Sequence, residues 1–154
     1  MVHTQTTSWL GNAAPSRGGW SAVCEARLTS LADMDWVIEA ILGEMGTHGY
    51  GESDVYGMRL SLEEAITNGL KHGNKQDPAK GVEVTWEVDG QHVLATIEDE
   101  GAGFDPAHLA DPLSADGVVC RSGRGVLLMQ HYLTWLRYNE RGNQVTLCKY
   151  RSVS

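Results

Sequence analysis

The sequence predicts an α+β fold, a two-layer α/β sandwich in which helices cover one face of a mostly antiparallel sheet. Three observations predict this fold. Two apolar stripes at helical spacing follow one another in the first half of the chain. A pair of alternating strands joined by a tight turn comes next, and a third short helix precedes two more strands. The element order β-α-α-β-β-loop-α-β-β and the length of 154 residues both fit one domain.

The composition indicates a globular protein with an acidic surface. Hydrophobic residues make up 42% of the chain, and 12 Lys and Arg against 20 Asp and Glu leave a net charge of −8. An acidic chain binds phosphate backbones and anionic lipids poorly, so we expect neither a nucleic-acid nor a membrane partner. The chain shows no apolar run of membrane-spanning length and no signal sequence, and its three cysteines have no close spacing. We therefore expect a cytoplasmic protein.

The N-terminal part is expected to contain a tail, a strand and the first helix. Residues 1–19 are polar and glycine-rich, which predicts a flexible tail before a folded domain over residues 20–154. A β-type run over 20–28 precedes Ser30, which opens a Ser-x-x-Asp pattern typical of a helix start. The stripe of this helix consists of Met34, Val37, Ile38, Ile41, Leu42 and Met45, and the glycines expected to break it are Gly43, Gly46, Gly49 and Gly51.

The second helix and the strands follow from periodicity. The helix has a stripe formed by Val55, Met58, Leu62, Ala65, Ile66 and Gly69, and it is expected to stop at Gly73 and Pro78. Residues 82–88 alternate apolar and polar side chains, Asp89-Gly90 predicts a hairpin turn, and the return strand places Val93, Ala95 and Ile97 on one face. A third helix runs to about Tyr132, and two strands follow at about 134–139 and 144–151.

The second helix carries a polar row that has three interpretations. Glu64 and Asn68 lie about 40° apart on a helical wheel, and Lys71 continues the row away from the apolar stripe. In the first interpretation the row is a solvated polar face. In the second, Glu64 belongs to a capping box with Ser61 at a helix start. In the functional interpretation Asn68 supplies a neutral oxygen to a cation such as Mg²⁺, and Glu64 accepts a hydroxyl proton.

The return strand ends in Asp-x-Gly-x-Gly. Alternation places Asp99 on the same face as Val93, Ala95 and Ile97, where a carboxylate is costly unless a donor binds it. One interpretation is a turn aspartate that binds its own backbone. The other is a carboxylate that accepts a hydrogen bond from the exocyclic amine of a bound base, with Gly101 and Gly103 allowing close approach of a planar ligand.

A glycine-rich segment with two arginines opens the third helix. It contains Arg121, Gly123, Arg124 and Gly125 and continues directly into Val126. Free backbone N–H groups at a helix N-terminus favour an anion, and the arginines make a basic spot in an acidic chain. The alternative is a flexible helix start with two solvated arginines.

The order and spacing of these three motifs resemble the conserved boxes of the GHKL ATPases. Within that superfamily the runs EEAITNGLKHGN, IEDEGAGFDP and RSGRGVLLM are most similar to the serine kinases that act as anti-sigma factors. The resemblance extends over about residues 20–151. It implies the Bergerat ATP-binding fold, which is compatible with the element order above.

The resemblance also implies roles for individual residues. Asn68 is expected to coordinate Mg²⁺, Glu64 to be the catalytic base, and Asp99 to bind the adenine amino group between Gly101 and Gly103. The residues expected near the phosphates are Arg121, Gly123, Arg124 and Gly125, with Lys71 matching a lysine of the histidine-kinase branch. Residues from about 107 to 122 correspond to the ATP lid. Relatives often carry Gly-Thr-Thr with a threonine near adenine, whereas this chain reads Gly142-Asn143-Gln144.

The resemblance leaves more than one function open. The first is an ATP-dependent serine/threonine kinase that phosphorylates a small antagonist protein and alternately sequesters a sigma factor, and so regulates transcription. The second is an ATP-dependent binding regulator with little kinase activity. The presence of Glu64 favours the kinase, because a regulator that only binds does not need this residue. A detached histidine-kinase domain is the third, although the chain has no phosphoacceptor helix. Relatives are commonly homodimers, so a dimer is also expected.

Overall fold

The computed structural model describes residues 3–4, 23–103 and 123–153. Within the segment predicted to be a tail, His3–Thr4 forms a two-residue strand, β1, that pairs with the next strand. The other residues of 1–19 and the segment expected to be a lid lie outside the described residues. Among the described helices, none is long and apolar enough to cross a membrane.

The described elements form three helices over a six-stranded sheet, which confirms the predicted α+β architecture. In chain order they are β1 (His3–Thr4), β2 (Cys24–Leu28), α1 (Leu31–Thr47), α2 (Glu52–Thr67), a π-helical segment (Asn68–Gly73), β3 (Val82–Val88), β4 (His92–Asp99), α3 (Gly123–Tyr132), β5 (Trp135–Tyr138) and β6 (Gln144–Tyr150). The strand order is β1-β2-β3-β4-β6-β5, and each neighbouring pair is antiparallel.

The core lies between the helices and one face of the sheet. The predicted alternation is confirmed, because Val82, Val84, Trp86 and Val88 of β3 and Val93, Ala95 and Ile97 of β4 are all buried. From the helices, the side chains that pack against them include Ile38, Ile41, Met58, Leu62, Ile66 and Met129. The apolar stripes therefore meet the apolar face of the sheet, which is the main stabilising contact of a two-layer fold.

The first helix is longer than predicted. It continues through Gly43 and Gly46 to Thr47, so the expectation that these glycines break it was wrong. A glycine inside a helix costs only about 1 kcal/mol relative to alanine, which the buried stripe of α1 outweighs. The chain leaves the helix at Gly49, whose φ of +82° is a left-handed conformation that glycine adopts without strain.

The second helix excludes the capping-box interpretation of Glu64. The helix begins at Glu52, nine residues before Ser61. Ser61 is fully buried, and its hydroxyl donates to the carbonyl oxygen of Gly57 at 2.8 Å. Glu64 therefore lies in the last part of an established helix and does not help to start one.

The π-helical segment changes which side chains of this region face the sheet. A π-helix has a wider turn than an α-helix, so residues beyond its start rotate away from the positions that a regular helical wheel gives them. Asn68, Leu70 and Gly73 are buried, whereas Lys71 is exposed. The predicted row is therefore not uniformly solvated: Lys71 is exposed as expected, whereas Asn68 is buried.

Candidate functional site

A narrow cleft lies where the end of α2 approaches the ends of β4 and β6. The residues that line it include Asn68, Gly69, Ile97, Asp99, Asn143 and Val145. Residues from the first and second motifs thus meet in one place, although about 30 residues separate them along the chain. The antiparallel pairing of β4 with β3 and β6 produces this meeting, because it places the end of β4 in the middle of the sheet.

Asp99 is the buried acidic residue of the cleft. It ends β4 on the packing face, as predicted, and it is only 5% exposed. Its Oδ1 accepts a hydrogen bond from the backbone N–H of Gly101 at 2.8 Å. This hydrogen bond confirms the interpretation of Asp99 as a turn aspartate that binds its own backbone. The same carboxylate also lines the cleft, so the turn bond does not remove it from a ligand's reach.

The glycines around Asp99 are required by the protein's own packing. A Cβ atom on Gly73 would overlap the Asp99 carboxylate, and one on Gly101 would overlap the carbonyl group of Gly73. Gly103 has a φ of +81°, and its Cβ would overlap the carbonyl group of Arg141. Gly101 and Gly103 were expected to make room for a ligand, whereas the structure shows that they make room for neighbouring backbone.

Glu64 and Asn68 form the second part of the site. Asn68 Nδ2 donates to Glu64 Oε1 at 3.2 Å, one helical turn away. Asn68 is 8% exposed and Glu64 is half-buried, so neither belongs to a fully solvated surface. The amide oxygen of Asn68 is a neutral oxygen of the kind that binds a hard cation.

The third motif approaches the first at one residue. Helix α3 begins at Gly123, within the glycine-rich segment expected to open it, and a Cβ atom on Gly125 would overlap the Glu64 carboxylate. Val126 and Met129 are buried and hold α3 against α2. Arg121 lies outside the described residues, and the side chain of Arg124 is also not described.

Lys71 is a predicted site residue that lies away from the cleft. It is exposed and lines a different groove, together with Thr29, Ser30, Leu31 and Gln76. The rotation of the π-helical segment accounts for this separation.

Two buried asparagines contact the backbone beside Asp99, and sequence reasoning missed this role for both. Asn74 is 1% exposed, and Asn143 is 7% exposed. In the sequence, Asn143 differs from the Gly-Thr-Thr pattern, but this difference does not indicate a contact with Asp99. No local signal identifies either contact, because the bonded residues are 26 and 44 positions apart in the sequence.

The hydrogen-bonding groups of the cleft suit an amine donor and a nucleotide-bound cation rather than a metal ion alone. Among the described residues, no group of three His, Cys, Asp or Glu side chains is arranged to hold a metal. Mg²⁺ commonly takes one or two protein ligands and completes its shell with water and phosphate oxygens, so Asn68 alone is compatible with a nucleotide-bound ion. The buried Asp99 carboxylate matches an amine donor on a planar base.

Comparisons with known proteins agree with this geometry. Serine-protein kinase RsbW of Bacillus subtilis (strain 168) is 27% identical over 115 residues, which cover 66% of this chain and 68% of that protein. Anti-sigma F factor of Anoxybacillus flavithermus (strain DSM 21510 / WK1) is 30% identical over 91 residues, covering 58% and 62% respectively. Serine-protein kinase RsbW of Staphylococcus epidermidis is 24% identical over 135 residues, covering 82% and 85%.

A family comparison covers most of the fold. Residues 24–149 match the family described as histidine kinase-like ATPase domain, from the start of β2 to the penultimate residue of β6. The match includes the Glu64–Asn68 pair, Asp99 and the start of α3. The chain therefore belongs to the histidine kinase-like ATPase family.

Proposed function

We propose that this chain is an ATP-dependent serine/threonine protein kinase and anti-sigma factor that phosphorylates a small antagonist protein in a partner-switching pathway. The observation that carries the proposal is the Glu64–Asn68 pair, bonded at 3.2 Å and located between the Asp99 cleft and the N-terminus of α3. The relatives named serine-protein kinase and anti-sigma F factor support the choice of substrate and partner.

In this proposal the cleft binds the adenine and the metal ion, and the start of α3 binds the phosphates. Asp99 accepts a hydrogen bond from the adenine amino group, and its burial strengthens that bond because little water competes for it. Asn68 offers its amide oxygen to Mg²⁺, which neutralises charge on the phosphates when it is bound. The backbone N–H groups at the start of α3 face the phosphates, with Arg121 and Arg124 as additional charge partners.

Glu64 is the group with the chemistry of a general base. It is a half-buried carboxylate within one helical turn of the proposed metal ligand, where it can accept the proton of a serine hydroxyl. Its contact with Gly125 keeps it beside the helix start that binds the phosphates. The position of the helix start excludes the capping box, which is one of the two structural explanations for a glutamate at this position.

Glu64→Gln tests this assignment, because glutamine keeps the size of the side chain and can still accept the hydrogen bond from Asn68. We expect ATP affinity within about twofold of wild type and a phosphorylation rate lower by roughly 10²–10⁴-fold. Calorimetry measures binding, and mass spectrometry of the candidate antagonist measures transfer. Glu63→Gln is the matched control, since Glu63 is similarly half-buried on the same helix about 100° away.

The same experiment separates a kinase from a binding regulator. A wild-type protein that binds Mg-ATP and its partners without transferring phosphate would contradict the kinase proposal and favour an ATP-dependent binding regulator. A Glu64→Gln protein that phosphorylates at the wild-type rate would contradict the role of Glu64 as the base.

A further inference from the structure

We propose that Asn74 and Asn143 are positioning residues that clamp the peptide unit between Asp99 and Glu100 and thereby set the selectivity of the cleft for an adenine amino group. The proposal rests on ATP being the ligand of this cleft. It concerns how Asp99 is held in the direction that binding requires.

The first arm of this clamp is Asn143, immediately before β6. The backbone N–H of Asp99 donates to the carbonyl oxygen of Asn143 at 2.8 Å, and Asn143 Nδ2 donates to the carbonyl oxygen of Asp99 at 3.1 Å. Asn139 fixes this side chain in turn, since its Nδ2 donates to Asn143 Oδ1 at 2.8 Å. Asn143 thus binds both backbone polar groups of Asp99.

The second arm is Asn74, which directly follows the π-helical segment. Its Oδ1 accepts the backbone N–H of Glu100 at 2.8 Å, and its Nδ2 donates to the carbonyl oxygen of Gly81 at 2.9 Å. The carbonyl of the 99–100 peptide unit is therefore held by Asn143 and its N–H by Asn74. Both side chains are buried, so water competes little for these bonds.

A clamp is needed here because the strand pairing ends at this point. The last paired residues are Asp99 opposite Val82 in β3 and Glu98 opposite Gln144 in β6. Beyond Asp99 the chain contains Gly101 and Gly103, which restrict the backbone little. The side-chain torsion angles of Asp99 determine where its carboxylate points, and the bond from the Gly101 N–H to Oδ1 restricts them. That bond depends on the backbone between Asp99 and Gly101, which includes the clamped peptide unit.

The two residues that replace the threonines of relatives both line the cleft, but their side chains have different partners. Asn143 Nδ2 donates to the carbonyl oxygen of Asp99, whereas the Gln144 side chain donates to Glu98 at 3.2 Å. Asn143 is therefore the residue of this pair that acts on Asp99.

The consequence is selectivity for a base that carries an amino group. A carboxylate held in one direction accepts a hydrogen bond from the adenine amine, whereas a purine without that amine leaves the buried carboxylate without this donor. If the clamp is released, the carboxylate samples other directions and the difference between the two nucleotides shrinks. Binding of the sugar and phosphates depends on other residues and changes little.

The test compares ATP with purine riboside 5′-triphosphate, which lacks the exocyclic amine, by calorimetry with the full chain. We expect wild type to prefer ATP by about tenfold or more. In Asn143→Ala and Asn74→Ala the preference is expected to fall below about threefold, with the affinity for the amine-free nucleotide changed by less than about threefold. If the two asparagines had a purely structural role, their loss would weaken the binding of both nucleotides equally and leave the ratio of the two affinities unchanged.

One control isolates the clamp. Glu98→Gln is expected to keep the wild-type preference, because Glu98 is exposed on the opposite face of β4 and precedes the clamped peptide unit. If Asn143→Ala does not fold by circular dichroism, Asn139→Ala replaces it, since it releases the Asn143 side chain without removing it.

The outcomes distinguish this inference from the proposed function. A wild-type protein that binds no ATP, or that shows no preference for the amine, overturns the nucleotide assignment and the clamp together. A wild-type protein with the preference, combined with folded variants that retain it in full, overturns the clamp alone. Loss of the preference in the alanine variants with retention in the Glu98→Gln control supports the clamp.

Discussion

The carboxylate of Glu64 lies directly against the backbone of Gly125, so close that a Cβ atom on Gly125 would overlap it. This contact joins the last part of α2 to the first turn of α3. A second close approach between the same helices occurs at Gly57, whose Cβ would lie 2.8 Å from Cβ of Tyr132. The position of the proposed base therefore depends on how tightly these two helices pack.

Gly125→Ala is expected to impair phosphorylation without affecting the base-binding end of the cleft. The added methyl group must displace the Glu64 side chain, and a displacement of about 1 Å from a productive geometry lowers rates by about 10²-fold. Phosphate transfer and ATP affinity are measured on the same protein. Gly43→Ala is the matched control, because nothing lies within 4 Å of its Cβ and the helix is expected to become more stable. Normal transfer in Gly125→Ala would contradict the importance of this contact.

Asp99→Asn is expected to weaken ATP binding strongly while the fold persists. A hydrogen bond to a charged acceptor contributes about 1.5–3 kcal/mol, which corresponds to a loss of roughly 10- to 150-fold in affinity. Calorimetry measures the affinity, and the melting temperature reports on folding. Glu98→Gln serves as the control, since Glu98 is exposed on the opposite face of the same strand. An unchanged affinity in Asp99→Asn would show that the adenine does not contact this carboxylate.

Asn68→Ala is expected to weaken ATP binding more in the presence of Mg²⁺ than in its absence. The amide oxygen is a suitable ligand for a hard cation, and its loss affects only the metal-bound form of the nucleotide. Affinities with Mg²⁺ and with a chelator provide the comparison. Lys71→Ala is expected to change neither value, because Lys71 lies in another groove. Equal losses under both conditions would indicate a structural role for Asn68.

Asp54→Asn is expected to lower stability at neutral pH and to lose this effect in acid. The carboxylate accepts hydrogen bonds from the Ser152 hydroxyl at 2.6 Å and the Ser152 N–H at 2.8 Å, and Lys149 Nζ lies 3.6 Å away. Burial raises the pKa of Asp54, but these contacts outweigh it and lower the pKa below its ordinary value of 3.8.

The lowered pKa determines the direction of the pH dependence. The stability that the ionised Asp54 carboxylate contributes is complete above the ordinary pKa and disappears as the pH falls through the folded-state pKa. At neutral pH the difference between wild type and Asp54→Asn is expected to be about 1–3 kcal/mol in the free energy of unfolding. Urea titrations at neutral pH and at acidic pH down to the folded-state pKa of Asp54 measure this difference. Asp35→Asn, an exposed control on α1, is expected to show no such difference. A pH-independent effect of Asp54→Asn would contradict the ionic explanation.

Periodicity predicted the parts of the fold that depend on neighbouring residues. The alternation of β3 and β4 placed Val93, Ala95, Ile97 and Asp99 on the packing face, and all four are buried there. Alternation is reliable in a sheet because successive side chains must point to opposite faces. Periodicity failed at Asn68, which is buried although a helical wheel places it on a solvated face, since the wheel assumes α-helical geometry and the π-helical segment begins at this residue.

The sequence by itself determined the order of elements, the apolar faces that meet in the core and the three motifs of an ATPase-type site. Each of these is encoded in residues that are close together in the chain. Only the tertiary structure decided that Glu64 lies against Gly125, that Asn74 and Asn143 hold the two sides of one peptide unit, and that Lys71 belongs to another groove. These relationships join residues from separate elements, and their geometry follows from how the helices and strands pack rather than from any local pattern.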